Sequence, residues 1–218
     1  MFSKAFGFLL KKPFQLWGLI LLGSLLYTLS IFLTIIPVVY LAIGANIIVA
    51  LYNICLLAYR GGDVSLKQLS DGFTKDRFLR NAGGIGWMYL WLVIWSLIPF
   101  AGIVFFFIKL YSYRLVPFIL YNDSNISAGD ALKKSIAQTK GYRGKMFGTD
   151  ILVGICIGVV IAIPLIIVTL LVQAGGFAAF VGGIISLVVS AALFVLTPIL
   201  LLTVNAIYYD KISNETLK

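Results

Sequence analysis

Charged side chains inside otherwise apolar stretches are the features of this sequence best suited to chemistry. Lys109 and Arg114 lie within GIVFFFIKLYSYRLVPFILY, and Asp150 opens the next apolar stretch. A charge near the centre of a membrane-spanning helix costs about 2.5 to 3.5 kcal/mol, so it usually faces a partner or a water-filled cavity. Lys109 is therefore expected to face a partner or a water-filled cavity, unless it snorkels to the interface or its helix is shifted along the sequence. Arg114 is expected to reach lipid phosphates or to pair with Asp150, which also suits a helix N-terminus.

Amide side chains in the apolar stretches give a weaker signal. Asn46 and Asn53 are spaced so that they share one face of a helix, and Asn205 lies in the last apolar stretch. Amides in membrane helices more often form hydrogen bonds between helices than bind a ligand. We include all three with the charged residues as a candidate intramembrane polar site.

Residues for catalysis or for holding a cofactor are sparse. The sequence has no histidine, and its eight acidic residues show no paired spacing that suits a metal ion. It has neither a Gly-x-Ser-x-Gly elbow nor a phosphate-binding Gly-x-x-x-x-Gly-Lys loop. We therefore predict a protein that is not an enzyme and needs no cofactor or metal.

The elements that position these side chains are predicted to be membrane-spanning helices. Hydrophobic residues make up 61% of the 218 residues and charged residues only 11%, which excludes an ordinary soluble domain. About 20 apolar residues cross the hydrocarbon core as a helix. The fold class is therefore all-α, a single integral membrane domain over residues 1–218. Its six spans are expected at 14–33, 39–59, 82–98, 102–121, 149–172 and 183–209, which form three hairpins.

The basic residues predict the orientation of these spans. All but two of the 17 Lys and Arg residues fall in the N-terminal segment, the loops at 60–81 and 122–148, or the C-terminal tail. The connectors expected on the opposite side contain none. By the positive-inside rule, both termini and both loops are cytoplasmic. The net charge of +9 then indicates attraction to anionic lipid headgroups rather than to nucleic acid.

A short amphipathic helix is predicted before each hairpin. Ser3, Ser65 and Ser127 are equally spaced N-cap candidates, so the interval indicates either a threefold repeat or chance. The third helix is the best defined, since Ser127 and Asp130 suit a capping box and Gly141 suits a left-handed C-terminal cap. It is expected from about Ser127 to Lys140 in the headgroup region. Its basic residues and those that follow are candidate anionic-lipid contacts: Lys133, Lys134, Lys140, Arg143 and Lys145.

Small residues and prolines suggest how the last hairpin packs. Gly154 and Gly158 lie one helical turn apart, a spacing that permits close approach by another helix. Pro164 and Pro198 each remove a helical hydrogen bond, so a kink is expected in both of the last two spans. Facing kinks open a cavity in some membrane proteins, yet they also occur without any transport role.

Residues 111–147 resemble a family of uncharacterised bacterial six-helix membrane proteins, related to the membrane domain attached to some glycerophosphoryl diester phosphodiesterases. The residues that carry the resemblance are Tyr113, Pro117, Leu120, Ala131, Leu132, Ser135, Lys140, Gly141 and Phe147. The resemblance implies a six-helix fold in a bacterial cytoplasmic membrane and supplies no established function. The phosphodiesterase domain itself is not part of the resemblance, so that activity is not implied.

Two functions remain open from the sequence. The first is a non-enzymatic membrane protein that supports or regulates a membrane partner or the lipid envelope through a basic cytoplasmic face. Its partners would be the anionic bilayer and either another membrane protein or a second copy of the chain. The alternative is a transporter or export component for a small amphiphile or peptide, with its pathway around Lys109, Arg114 and Asp150.

Overall fold

The computed structural model describes residues 13–30 and 37–216, and every regular element in these ranges is helical. A short 3₁₀ helix, Asp71–Phe73, separates the third α-helix from the fourth. The predicted all-α class is thus confirmed for this part of the chain. The helix expected after Ser3 lies outside the described residues. The α-helices are α1 (Pro13–Ser30), α2 (Pro37–Tyr59), α3 (Leu66–Ser70), α4 (Lys75–Ser96), α5 (Gly102–Ser112), α6 (Val116–Asn122), α7 (Ala128–Thr139), α8 (Arg143–Ala174) and α9 (Gly176–Thr216).

Several of these helices have the length and composition of membrane spans. Within the described residues, four apolar helical segments are long enough to cross a bilayer: Leu41–Tyr59, Gly102–Asn122, Arg143–Ala174 and Gly176–Glu215. A shorter apolar helix covers Gln15–Leu29. Such continuous apolar helices satisfy their own backbone hydrogen bonds and leave apolar side chains for lipid. The protein is therefore membrane-embedded.

Contacts between residues divide the chain into two compact units. The first contains the described residues up to Arg143 together with those from Leu201 onward, and the second is Gly144–Leu200. Helices α8 and α9 contribute to both units. The prediction that residues 1–218 act as one membrane domain stays a prediction.

The core of the first unit is built around the short helix α6. Every residue from Val116 to Leu120 is buried, so α6 is apolar around its whole circumference, as a fully enclosed helix must be. Phe118 stacks on Tyr209 of α9, with ring centroids 4.5 Å apart. Its ring also meets the edge of Tyr52 of α2 at 5.0 Å. Helix α6 is thereby enclosed by side chains from distant parts of the sequence.

The fourth predicted span is interrupted, which corrects the expectation of one helix over 102–121. Helix α5 ends at Ser112 and α6 begins at Val116. Pro117 has no backbone N–H, and its ring clashes with the carbonyl four residues earlier, which belongs to Tyr113. The Tyr113 carbonyl instead accepts a hydrogen bond from the Val116 N–H at 3.0 Å. The proline thus explains why the helix breaks at residues 113–115.

Glycines allow close helix contacts in the first unit. A Cβ atom on Gly84 of α4 would lie 2.6 Å from a Leu120 methyl carbon. A Cβ atom on Gly102 would collide with the Ser96 carbonyl oxygen across the connector between α4 and α5. Helix α4 therefore needs small residues where it meets α6 and where its hairpin turns.

The second unit consists of α8 after Arg143 and of α9 up to Leu200. Gly175 and Gly176 have φ values of 71° and 54° at the turn between them. Both helices continue through their internal prolines, Pro164 and Pro198. A Cβ atom added to Gly154 or Gly158 would meet nothing within 4 Å, so none of the described residues packs closely against these two glycines of α8.

Three other helices begin about two helical turns before their predicted spans, whereas α2 ends at Tyr59 as predicted. Helix α4 begins at Lys75 rather than at residue 82, so it includes four of the charged residues assigned to the preceding loop. Helix α8 begins at Arg143 rather than 149, and α9 begins at Gly176 rather than 183. Apolar composition marks the buried or lipid-facing part of a helix but does not end it, because polar residues also sustain helical hydrogen bonding.

Candidate functional site

The N-terminus of α7 is fixed by its own side chains. Ser127 Oγ accepts a hydrogen bond from the Asp130 N–H at 3.1 Å and donates one to Asp130 Oδ2 at 2.7 Å. The chain then leaves the helix at Gly141, whose φ of 86° favours glycine. The amphipathic helix predicted from about Ser127 to Lys140 is observed at Ala128–Thr139.

Electrostatics at this cap favour ionised Asp130. The hydroxyl of Ser127 donates a hydrogen bond to the carboxylate and holds the pKa of Asp130 below its usual value, with a further contribution from Lys133. The negative charge also lies at the positive end of the helix dipole. The cap is therefore complete at neutral pH.

One face of α7 is buried against the end of α5. Ser135 Oγ donates a hydrogen bond to the Ser112 carbonyl at 2.7 Å, and Thr139 Oγ1 lies 3.3 Å from the same oxygen. Ser135 and Thr139 are fully buried, and Ser112 is 1% exposed. Ala131 and Leu132 complete the buried face. Polar contacts, and not only apolar packing, therefore fix α7 on the first unit.

The opposite face of α7 is basic and open to solvent. The Lys133 side chain is 81% exposed, with its Nζ 3.4 Å from Asp130 Oδ1. Lys134 is about half exposed, with its Nζ 3.5 Å from Asp123 Oδ2. Exposed pairs of this kind typically contribute under about 1 kcal/mol. Together with exposed Lys140, these ammonium groups remain available to anionic ligands, and we refer to the three lysines as the α7 lysine face.

Arg143 has a different role from these lysines. Its Nη2 donates a hydrogen bond to the Ile136 carbonyl at 3.0 Å, and its Nε lies 3.5 Å from Thr139 Oγ1. A cationic side chain that binds carbonyls in the last turn stabilises a helix C-terminus. Arg143 thus caps α7, while Lys145 is an exposed residue of the second unit.

Lys109 has an aromatic neighbour. Its side chain is half-buried, and its Nζ lies 4.3 Å from the centroid of the Trp95 ring on α4. An ammonium group over an indole face gains a favourable cation–π interaction, which is larger when water is excluded. Sequence reasoning did not single out Trp95, because only the α4–α5 hairpin brings it to Lys109.

Arg114 forms part of a polar chain through the first unit. Its Nε donates a hydrogen bond to Asn205 Oδ1, and Asn205 Nδ2 donates one to Tyr52 Oη at 3.2 Å. The guanidinium carbon also lies 5.4 Å from the Tyr111 ring centroid. The chain links the α5–α6 break to α9 and α2. Asp150 belongs to the second unit, and its pairing with Arg114 stays a prediction.

Asn46 is tied to α4 by hydrogen bonds. Asn81 Nδ2 donates to Asn46 Oδ1 at 3.0 Å, and Asn46 Nδ2 donates to the Phe78 carbonyl at 3.2 Å. Asn46 is fully buried, and Asn53 on the same helix is 8% exposed. The sequence analysis did not identify Asn81, because this residue lies immediately before the predicted span. An amide side chain next to an apolar run was the signal that could have identified it.

An apolar groove of about 450 Å³ opens between α1, α2 and the segment from α3 to the 3₁₀ helix. Its lining contains none of the charged intramembrane candidates. The lining residues are Leu26, Leu29, Ile43, Ile47, Leu66, Leu69, Ser70 and Phe73. The groove therefore does not connect Lys109, Arg114 and Asp150 into a pathway.

Neither similarity to known proteins nor a metal site among the described residues assigns a function to this chain. No known family model, curated protein or solved structure matches the chain. Within residues 13–30 and 37–216, no three His, Cys, Asp or Glu side chains lie together in a way that would hold a metal ion. The α7 lysine face and the polar contacts beneath it therefore form the candidate functional site.

Proposed function

We propose that the protein is a non-enzymatic, six-span membrane protein whose basic cytoplasmic face binds anionic lipid headgroups and so supports or regulates a membrane partner. The observation that carries the proposal is the two-sided character of α7. Buried hydroxyls attach one face to α5, while Lys133 and Lys134 are exposed on the other. The resemblance to bacterial six-helix membrane proteins agrees with a cytoplasmic-membrane location for the chain.

The proposed topology assigns the spans to α1, α2, α4, the α5–α6 pair, α8 and α9. Helices α3 and α7 then lie on the cytoplasmic side, where the positive-inside rule puts the basic loops. The connector at 97–101 carries no charge and lies on the outer side. Both chain ends are cytoplasmic in this arrangement.

Electrostatic attraction is large enough to matter for this function. A basic residue near an anionic leaflet gains about 1 kcal/mol, so the three side chains of the α7 lysine face gain about 3 kcal/mol together. At about 1.4 kcal/mol for each factor of ten, that energy corresponds to an enrichment of roughly a hundredfold for anionic over neutral contacts. Salt weakens the attraction, because exposed charges are screened within about 10 Å at 0.1 M.

The transporter alternative has less support from the described geometry. The contact of Lys109 with Trp95 is the arrangement expected of a paired lysine in a closed bundle, rather than of one that faces water. Among the described lining residues of the groove, Ser70 is the only one with a polar side chain, so the groove offers little to orient an amphiphile. We therefore favour the scaffold or regulatory function.

Lipid selectivity in nanodiscs tests the proposal. The protein is reconstituted with phosphatidylglycerol and phosphatidylcholine, and native mass spectrometry measures the lipids that remain bound. Replacing Lys133, Lys134 and Lys140 by Gln is expected to remove most of the phosphatidylglycerol enrichment. Arg143 is left unchanged because it caps α7. The triple Arg variant keeps the charge and serves as the matched control, and equal enrichment in the Gln variant would refute the proposal.

A further inference from the structure

The break between α5 and α6 is held from two sides. In a continuous helix the Ser112 carbonyl would accept a hydrogen bond from the Val116 N–H, but that N–H binds the Tyr113 carbonyl instead. The released oxygen of Ser112 is taken by Ser135 and Thr139 of α7. We call these two hydroxyl contacts the Ser112 latch.

The other side of the break is held by Arg114. Arg114 lies two residues after Ser112, and its guanidinium donates a hydrogen bond to Asn205 of α9. Asn205 in turn donates a hydrogen bond to Tyr52 of α2. A shift of α7 that displaces the Ser112 carbonyl must therefore also move Arg114. The Arg114 side chain is hydrogen-bonded to α9 and, through Asn205, to α2. Packed interiors respond to such shifts by changing between discrete arrangements, because they do not deform continuously.

We propose that the Ser112 latch couples binding of anionic headgroups at the α7 lysine face to the conformation of the α5–α6 break. This inference rests on the proposed function for its ligand, and adds a regulatory device that the lipid contact alone does not require. Lys133 and Lys134 lie on the solvent-exposed side of the same three-turn helix that carries the latch hydroxyls, so a force on these lysines acts on the buried contact. Headgroup binding holds α7 in place, and the latch then stabilises the break.

Burial makes the latch suited to this role. Ser135 and Thr139 are fully buried, and Ser112 is nearly so, so water does not replace a lost contact at once. An unsatisfied buried carbonyl is costly, which separates a latched state from an unlatched one. Thr139 Oγ1 lies closer to the Ser135 carbonyl, at 2.8 Å, than to the Ser112 carbonyl. Its single proton therefore also has an acceptor within α7, and the Ser135 hydroxyl makes the stronger contact of the latch.

Hydrogen exchange of the break in nanodiscs tests the coupling without a label. Amides in residues 112–116 are expected to exchange at least about threefold more slowly with phosphatidylglycerol present than in phosphatidylcholine alone. The double variant Ser135→Ala/Thr139→Val lacks both hydroxyls, so it should exchange fast in both bilayers yet keep its phosphatidylglycerol enrichment. Thr169→Val is the matched control, because the Thr169 hydroxyl is exposed and binds a carbonyl of its own helix.

The outcomes separate this inference from the proposed function. Lipid-independent exchange in the native protein, with lysine-dependent enrichment intact, overturns the coupling and leaves the lipid site standing. A lipid response that survives in the double variant also overturns it. Loss of lysine dependence in the enrichment itself refutes the proposed function and the coupling with it. Should the double variant not fold, Lys133→Gln/Lys134→Gln keeps the latch, and a lipid response that persists there overturns the coupling.

Discussion

The buried amide pair between α2 and α4 provides a quantitative test of whether Asn46 is a structural residue or part of a ligand site. Asn81 Nδ2 lies 3.0 Å from Asn46 Oδ1, and both side chains are almost wholly excluded from solvent. Replacing one of the two by Leu leaves the other amide without this partner. Each of Asn46→Leu and Asn81→Leu is expected to destabilise the protein.

The magnitudes follow from the cost of an unpaired buried group. Each single substitution should lower the free energy of unfolding by about 1 to 3 kcal/mol, whereas replacing both partners by apolar groups is nearly neutral. The double variant should therefore cost no more than one single variant. Polar pairs in membrane proteins couple by about 0.6 kcal/mol on average and by about 1.7 kcal/mol at most. We expect this pair at the upper end, because both side chains are almost wholly buried. The bond from Asn46 to the Phe78 carbonyl is lost in both variants that lack Asn46, so it cancels in the double-mutant cycle.

Unfolding in mixed micelles, followed by circular dichroism, measures the four free energies of the double-mutant cycle. Asn53→Leu combined with Asn81→Leu is the matched control, since Asn53 lies on the same helix about 10 Å further along the axis. That distant pair should be additive. Additivity within about 0.5 kcal/mol for Asn46 and Asn81 as well would refute the interhelical pairing.

Three further predictions concern the hairpin, the cap and the intramembrane lysine. Gly102→Ala should destabilise the α4–α5 hairpin, because its Cβ atom would collide with a backbone carbonyl, whereas Gly83→Ala meets nothing within 4 Å and should leave thermal stability in detergent unchanged. Ser127→Ala should cost α7 about 0.5 to 2 kcal/mol, seen as faster amide exchange. It should also raise the Asp130 pKa, measured by NMR. Folding lowers the pKa of Asp130, so the cap stabilises α7 fully above the normal aspartate pKa, and this stabilisation is lost as the pH falls through the lowered pKa. A cap whose stabilisation of α7 weakens with rising pH would contradict this sign. Lys109→Cys, without the native cysteines, should resist aqueous thiol reagents in intact cells, and rapid labelling would favour a transport pathway.

Local rules explain which parts of this fold the sequence predicts well. The ends of α7 follow from Ser127 and Gly141, since a side-chain cap and a left-handed glycine act within a few residues. Pro117 carries the signal for the α5–α6 break, yet the mean hydropathy over Gly102–Asn122 stays high enough for a single membrane span. Apolar composition shows that a segment is suited to the membrane, but it does not reveal a missing backbone hydrogen bond.

Long-range contacts account for what the sequence did not predict. The pairing of Lys109 with Trp95 depends on the register of the α4–α5 hairpin. The Ser112 latch depends on how α7 returns to α5, and Arg114 meets Asn205, which lies 91 residues later in the chain. A residue type shows that a side chain needs a partner, whereas only the fold shows which partner it meets.

Site-specific labelling across the membrane tests the central claim most directly, namely that the α7 lysine face lies at the cytoplasmic surface. Phe100 lies in the charge-free connector between α4 and α5 and is fully exposed, and the Lys133 side chain is 81% exposed. In a background without native cysteines, a membrane-impermeant maleimide should label Phe100→Cys in intact cells. It should label Lys133→Cys only after permeabilisation. Labelling of Lys133→Cys in intact cells, with Phe100→Cys protected until permeabilisation, would contradict the account.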